Sequence, residues 1–209
     1  MPHAYFTIMG DVSQNVNYDT GMNSWEDLRN CVFNGERDGF YLLSKSYRNT
    51  IEISTYAGSV LEQASSGAYK IDPVIRHGME VQFCRRLKEA DCVSLIPVIA
   101  EEMKGRQHET IAVVVKTNEE AMRLRKMLET EMELVPEGET FGKGVMILPV
   151  ALVKGLEFDG VILWQPIDGV YAQNEGDAKL LYVAITRALH ELHIVYSGML
   201  SPLLEQKEK

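Results

Sequence analysis

The chain has 209 residues, 45% of them hydrophobic and 24% charged, with a formal net charge of −9. That length is enough for one α/β domain that buries roughly 70% of its unfolded surface, so it needs no disulfide or metal staple. No apolar run approaches the ~18 residues of a membrane span, the opening MPHAYFTIMGD lacks the basic start and apolar core of a signal peptide, and the acidic balance excludes a surface that binds nucleic acid throughout, though not a local basic groove.

In chain order, Tyr5 to Met9 reads as a buried strand ending at Gly10, and Phe40 to Leu43 as a second. Asn49 to Gln63 is predicted as a helix, Val81 to Leu87 as an alternating strand, and Leu95 to Lys104 as a helix that is kinked at Pro97 or begins close to it. Thr110 to Val115 is the strongest strand signal, β-branched and continuous. A helix follows to Leu128, with Asn118 as its expected N-cap and Glu119 and Glu120 in the first turn, where the helix dipole favours negative charge. Val145 to Leu148 and Val161 to Trp164 are strands. Asp177 opens a helix with Ala178, Leu181, Tyr182, Ile185 and Leu189 on one face, and Leu192 to Tyr196 is the last strand. The loosest stretches are Asn17 to Asp38, Ser65 to Gly78 and Glu131 to Gly144, and the polar tail after Ser201 is expected to fray. Strands alternating with helices imply a parallel sheet flanked by helices on both faces. Cys31, Cys84 and Cys92 are scattered and odd in number, as reduced thiols of a cytoplasmic protein would be.

The chemistry concentrates in short polar segments beside these strands. Gly10-Asp11-Val12-Ser13-Gln14 follows the first strand, which would place it at the C-terminal edge of a parallel sheet, where α/β folds bind ligands. Gln14 can hydrogen-bond a phosphate oxygen or orient a water, while the plain alternative is a turn capped by Asp11. In Ser46-Tyr47-Arg48-Asn49-Thr50 a guanidinium can reach a phosphate and a tyrosine can stack on a base; a surface Arg beside an Asn49 or Thr50 cap is the simpler alternative. Lys154-Gly155-Leu156-Glu157-Phe158-Asp159 precedes a buried strand. There Gly155 permits close backbone approach and Glu157 can accept a bond from a ribose hydroxyl. In Leu180 to Ala188, Arg187 lies in the last part of an apolar helix. A guanidinium there is costly unless it meets an anion or its stem reaches solvent.

In this order the segments resemble motifs III to VI of the UvrD/Rep-type superfamily 1 helicases. GDVSQ is similar to their GDxxQ and SYRNT to their YRS/T motif. KGLEFD is identical to their motif V core, and LLYVAITRA is similar to motif VI. The resemblance spans Gly10 to Ala188 and implies a RecA-like P-loop NTPase fold. It divides the chain into the tail of a first RecA-like domain (residues 1–20), a second RecA-like domain (21–200) and a flexible tail (201–209). It also implies roles: Gln14 senses the γ-phosphate, Tyr47 stacks near the adenine, Arg48 and Arg187 are arginine fingers, and Gly155 and Glu157 contact the nucleotide, Glu157 at the ribose.

Departures from the pattern shape the expectation. No G-x-x-x-x-G-K-[ST] occurs, so the chain has no phosphate cradle of its own. ATP and Mg2+ are therefore expected only in a full-length protein whose N-terminal RecA-like domain supplies that loop, and the chain alone is expected to be inactive. Only a short stretch separates Leu128 from Lys154, so the 2B insertion of UvrD/Rep proteins is absent. Pro149-Val150-Ala151 stands where the family has Thr-x-His. Both features are similar to the HelD branch, whose members act on RNA polymerase. The resemblance thus implies an ATP-dependent helicase or translocase on single-stranded DNA, with recycling of RNA polymerase or a non-hydrolysing interaction module as alternatives. A membrane is not an expected partner.

Overall fold

The computed structural model describes residues 6–15, 24–32, 39–43, 45–63, 72–73, 76–135 and 142–205. A 3-10 turn, Val12–Gln14, is followed by helix α1 (Trp25–Val32), strand β1 (Lys45–Ser46), α2 (Ile51–Glu62), β2 (Asp72–Pro73), β3 (Gln82–Arg86) and α3 (Glu89–Gly105). Then come β4 (Thr110–Val115), α4 (Asn118–Leu128), β5 (Gly144–Pro149), α5 (Val150–Val153), β6 (Phe158–Trp164), α6 (Glu175–Ile185), β7 (Ala188–Ser197) and a last 3-10 turn, Pro202–Leu204. Strands β3 to β7 form one parallel sheet in the order β3-β7-β6-β4-β5, and β1 pairs with β2 in a separate parallel pair.

The continuous apolar strands follow from burial on both faces. Ile111, Val113 and Val115 of β4 join Ile162 and Trp164 of β6 in a core under α3 and α4, where Ile96, Met103, Leu124 and Leu128 meet them. Ala112 and Val114, with Val161 and Leu163, face the opposite core formed by α2 and α6 through Ile53, Tyr56, Leu181 and Ile185. The expected α/β fold, a parallel sheet with helices on both faces, is the one observed. Among the described residues no helix is long and apolar enough to cross a membrane.

Several local expectations are corrected. Phe6 to Met9 forms no strand, and Phe6 is 81% exposed; a buried strand needs sheet neighbours, and no described strand pairs with this one. Tyr5 lies outside the described residues. Phe40 to Leu43 is likewise exposed and not a strand, and the short β1 begins just beyond it. The stretch from Asn17 to Asp38, expected to be loose, contains α1. Helix α3 starts at Glu89, well before Pro97, which sits inside it. The N-cap of α4 is Thr117 rather than Asn118, in a reciprocal capping box with Glu120. Helix α6 begins at Glu175 under an Asn174 cap and stops at Ile185, so Arg187 lies in the turn into β7 and not in the helix. Ser201 to Leu204 does not fray: Leu203 and Leu204 are buried, and the Tyr56 hydroxyl donates to the Leu204 carbonyl. Residues 206–209 lie outside the described residues.

A buried polar network ties the α3 end to β7. Glu191 accepts from Arg106 Nη2 at 2.6 Å and Nε at 2.9 Å, and its oxygens lie 3.0 Å from His108 Nε2 and 2.6 Å from His193 Nε2. The other His193 nitrogen lies 3.8 Å from Cys84 Sγ. Burial alone would raise the Glu191 carboxyl, but hydrogen bonds from His193 and Arg106 outweigh it and hold it at about 2. Burial alone would lower the His193 ring, yet its bonds to Cys84 and Glu191 raise it to about 9. The carboxylate therefore adds stability above its ordinary range that is lost as pH falls towards 2. The charged ring adds stability below pH ~6.5 that is lost as pH rises through 9. Melting temperature should accordingly decline between about pH 6.5 and 9. Glu191→Gln should cost about 3–5 kcal/mol near pH 6 and flatten that alkaline decline. An unchanged slope in thermal melts of the variant would show that the pair does not titrate as a unit.

Candidate functional site

Strands β6 and β7 run parallel from their first residues, with Phe158 opposite Ala188 and the Phe158 amide donating to the Arg187 carbonyl at 3.0 Å. The residue before each strand therefore reaches the same place, and Glu157 and Arg187 become neighbours at the N-terminal edge of the sheet. This is opposite to the C-terminal edge expected for the Gln14 segment. The turn into β6 is closed by the Leu156 amide on the Val153 carbonyl, and Gly155 takes φ +84° within it. A Cβ at Gly155 would meet nothing, so glycine is required there by backbone conformation and not by close approach.

Arg187 is 1% exposed. Its Nε donates to the Val183 carbonyl at 3.1 Å and its Nη1 to the Leu156 carbonyl at 3.2 Å; Nη2 donates to Thr186 Oγ1 at 3.2 Å and to Gln14 Oε1 at 3.1 Å. Gln14 in turn donates through Nε2 to Asp11 Oδ2 at 2.6 Å. Asp11 also caps the 3-10 turn by accepting from the Ser13 amide, so the plain reading of this segment as a capped turn holds alongside its contact with Arg187. Burial, and then the charge of Arg48, lower the Arg187 pKa, while Glu157, Tyr182 and Asp11 oppose that shift.

Arg48 Nε lies 2.5 Å from Glu157 Oε1, with both side chains partly open to solvent. Tyr47 is 72% exposed. The structure thus draws Gln14, Arg48, Glu157 and Arg187 into one cluster, with Gly155 shaping its turn and Tyr47 projecting outward beside it. Two guanidinium groups and the carboxylates of Glu157 and Asp11 gather at this edge, and Arg48 and Glu157 are open to solvent, so an anion can reach the cluster from that side. Among the described residues no group of three His, Cys, Asp or Glu is placed to hold a metal ion.

Two residues of this region were not singled out from the sequence. Asn49, noted only as a cap, is 4% exposed and donates Nδ2 to the Thr186 and Ala188 carbonyls at 3.0 and 2.5 Å, while Thr50 caps α2. The consecutive cap-type residues Asn49-Thr50 carried a usable signal, because a helix takes only one N-cap. Arg76 Nη2 donates to the Arg48 and Leu189 carbonyls at 3.2 and 2.6 Å. It falls within a stretch whose composition reads as loop, and nothing local marks it.

The UvrD-like helicase C-terminal domain family matches residues 144–195, the segment that carries Gly155, Glu157 and Arg187. Among curated proteins no match was found. Among solved structures, the C-terminal domain of a possible DNA helicase from Lactobacillus plantarum WCFS1 is similar: 30% identical, covering 76% of this chain and 92% of that one, with a TM-score of 0.62. With that identity across most of both chains, and with the family match on the very strands that build the cluster, this chain belongs to the UvrD-like helicase C-terminal domain family.

Proposed function

We propose that this domain completes an ATP site whose phosphate cradle and magnesium ligands come from an N-terminal RecA-like domain of the same protein, and that the assembled motor is an ATP-dependent DNA helicase or translocase. The single observation that carries the reading is the convergence of Arg48, Arg187 and Gln14 at the N-terminal edge of β6 and β7. In this reading residues 1–20 belong to the preceding domain, which matches the way the Gln14 turn lies on Arg187.

Hydrolysis of ATP transfers the γ-phosphoryl group to water, and charge shifts onto its oxygens and the leaving β-phosphate. Preorganised cations aimed at that charge lower the barrier because they need no reorganisation when it develops. Arg187 is preorganised by its bonds to the Val183 and Leu156 carbonyls. Thr186 Oγ1 and Gln14 Oε1 take both Nη2 hydrogens, so a phosphate would be met by the second Nη1 hydrogen, or by Nη2 once it displaces the Gln14 carbonyl. Arg48 is more exposed and is held by Glu157. ATP would draw Arg48 towards the γ-phosphate and free Glu157 for the ribose hydroxyls, while Tyr47 stacks near the adenine. The protein's part in phosphoryl transfer is thus positioning and charge stabilisation. In the protein that contains both domains, Arg187→Ala should lower ATP turnover by about 10³–10⁵-fold while ATP binding persists. Steady-state ATPase with a parallel nucleotide-binding titration checks this, and turnover that survives the substitution would remove Arg187 from its role.

A second reading, action on RNA polymerase, is favoured by helix α5. Pro149 is its N-cap, and Ala151 and Leu152 are exposed. Of Pro149-Val150-Ala151, which stands where the family has Thr-x-His, Pro149 and Val150 are buried and only Ala151 is exposed, so no polar side chain is offered there to a phosphate backbone, which suits a protein partner better. Single-stranded DNA should stimulate the ATPase strongly under the first reading. Weak stimulation, together with co-sedimentation with RNA polymerase, would move the assignment to the second.

A further inference from the structure

We propose that Asn49 is a positioning residue for ATP hydrolysis, setting the placement of Arg48 relative to Arg187, with Arg76 as its outer support; this rests on the reading that both arginines act on ATP. Strand β7 is longer than its neighbour β3, which pairs with it only from His193 onward. Towards its start β7 therefore has no strand on that side among the described residues, and the carbonyls that face it need other donors. Asn49 takes the Thr186 and Ala188 carbonyls, Arg76 takes that of Leu189, and the Phe158 amide takes that of Arg187. Every carbonyl from Thr186 to Leu189 is thus engaged, and two of the four bonds come from the residue covalently next to Arg48.

The arrangement does more than satisfy orphan acceptors. The Asn49 amide grips the carbonyls of the residues on either side of Arg187, so the backbone of one arginine is referenced to that of the other through a single side chain. Arg76 repeats the link from outside, joining the Arg48 carbonyl to that of Leu189. Asn49 is buried, so water cannot replace its two bonds. Loss of the amide would let the α2 N-terminus and the turn into β7 drift apart, and a displacement near 1 Å is enough to cost about a hundredfold in rate when groups must be aligned.

The test uses the protein that contains both RecA-like domains, with steady-state ATPase and MgATP as the probe. Asn49→Ala should lower kcat about a hundredfold and change KM for ATP by less than about threefold, because charge placement fails and not ground-state binding. Asn49→Ser, which restores one donor, should recover part of the loss. In an Arg187→Ala background, single-turnover measurements should show Asn49→Ala adding less than about threefold, whereas a merely structural role would multiply the two losses. A folded Asn49→Ala with kcat within about twofold of the parent overturns the proposal, as does full multiplication of the losses. If Asn49→Ala does not fold, Arg76→Ala decides, with about a tenfold loss of kcat expected and an unchanged kcat overturning it. Intact turnover in Arg187→Ala alone would instead overturn the reading beneath.

Discussion

The parallel pairing of β6 with β7, which begins at Phe158 opposite Ala188, organises everything else in the cluster. Two strands that start in register bring the residues just before them together, whatever their distance in sequence. Glu157 and Arg187 need no loop of special length to meet, and rigid strands hold them more tightly than loops would. The helix before β7 must end abruptly to keep that register. It does so at Ile185, where the Thr186 hydroxyl bonds the Tyr182 and Val183 carbonyls and turns the chain into the sheet.

A buried guanidinium beside another cation is expensive, and the surroundings show how the fold tolerates it. Carbonyls of α6 and of the β6 turn, an amide from Gln14 and the carboxylates of Glu157 and Asp11 share the charge of Arg187. Two other charged groups among the described residues, the buried Glu191 and the half-buried Lys116, meet their partners within the fold. Glu191 is surrounded by Arg106, His108 and His193. At the opposite end of the sheet, Lys116 is held by Asp177 at 2.6 Å and by the Val170 carbonyl, over the Tyr171 ring. Those networks are self-contained. The Arg48 and Arg187 pair stands open to solvent on the Arg48 side, and that asymmetry separates a site that can receive a ligand from groups that brace the fold.

Much of this was legible before any coordinates. The continuous, largely β-branched run at Thr110 to Val115 reads as a buried strand, and it lies between the central β6 and the edge strand β5. The four-residue cluster was legible through motif order and residue type. What failed was periodicity near boundaries. Ala184 to Leu189 keeps helical spacing, yet the chain turns at Thr186 because β7 pairs with β6 from Ala188 onward. The apolar run at Phe6 to Met9 looks like a strand because the pattern records what a segment could bury, not whether neighbours pair with it. The Gln14 segment, expected at the C-terminal edge of a sheet, lies beside the N-terminal edge of β6 and β7. The position of Gln14 was read from its own preceding segment, whereas it is set by contact with Arg187 from a distant part of the chain. For Asn49 the only local sign is the doubled cap-type pair Asn49-Thr50, because its partners are backbone carbonyls far away in sequence.

In the proposed motor two arginines from this domain read the terminal phosphate of ATP. The most direct measurement compares ATP and ADP affinity in the protein containing both RecA-like domains, before and after Arg48→Ala and Arg187→Ala are combined. The parent should bind ATP more tightly than ADP, and the double variant should lose that preference while its ADP affinity stays near the parent value. An unchanged preference for ATP in the double variant would remove both arginines from that role, because the γ-phosphate would then be recognised without either guanidinium.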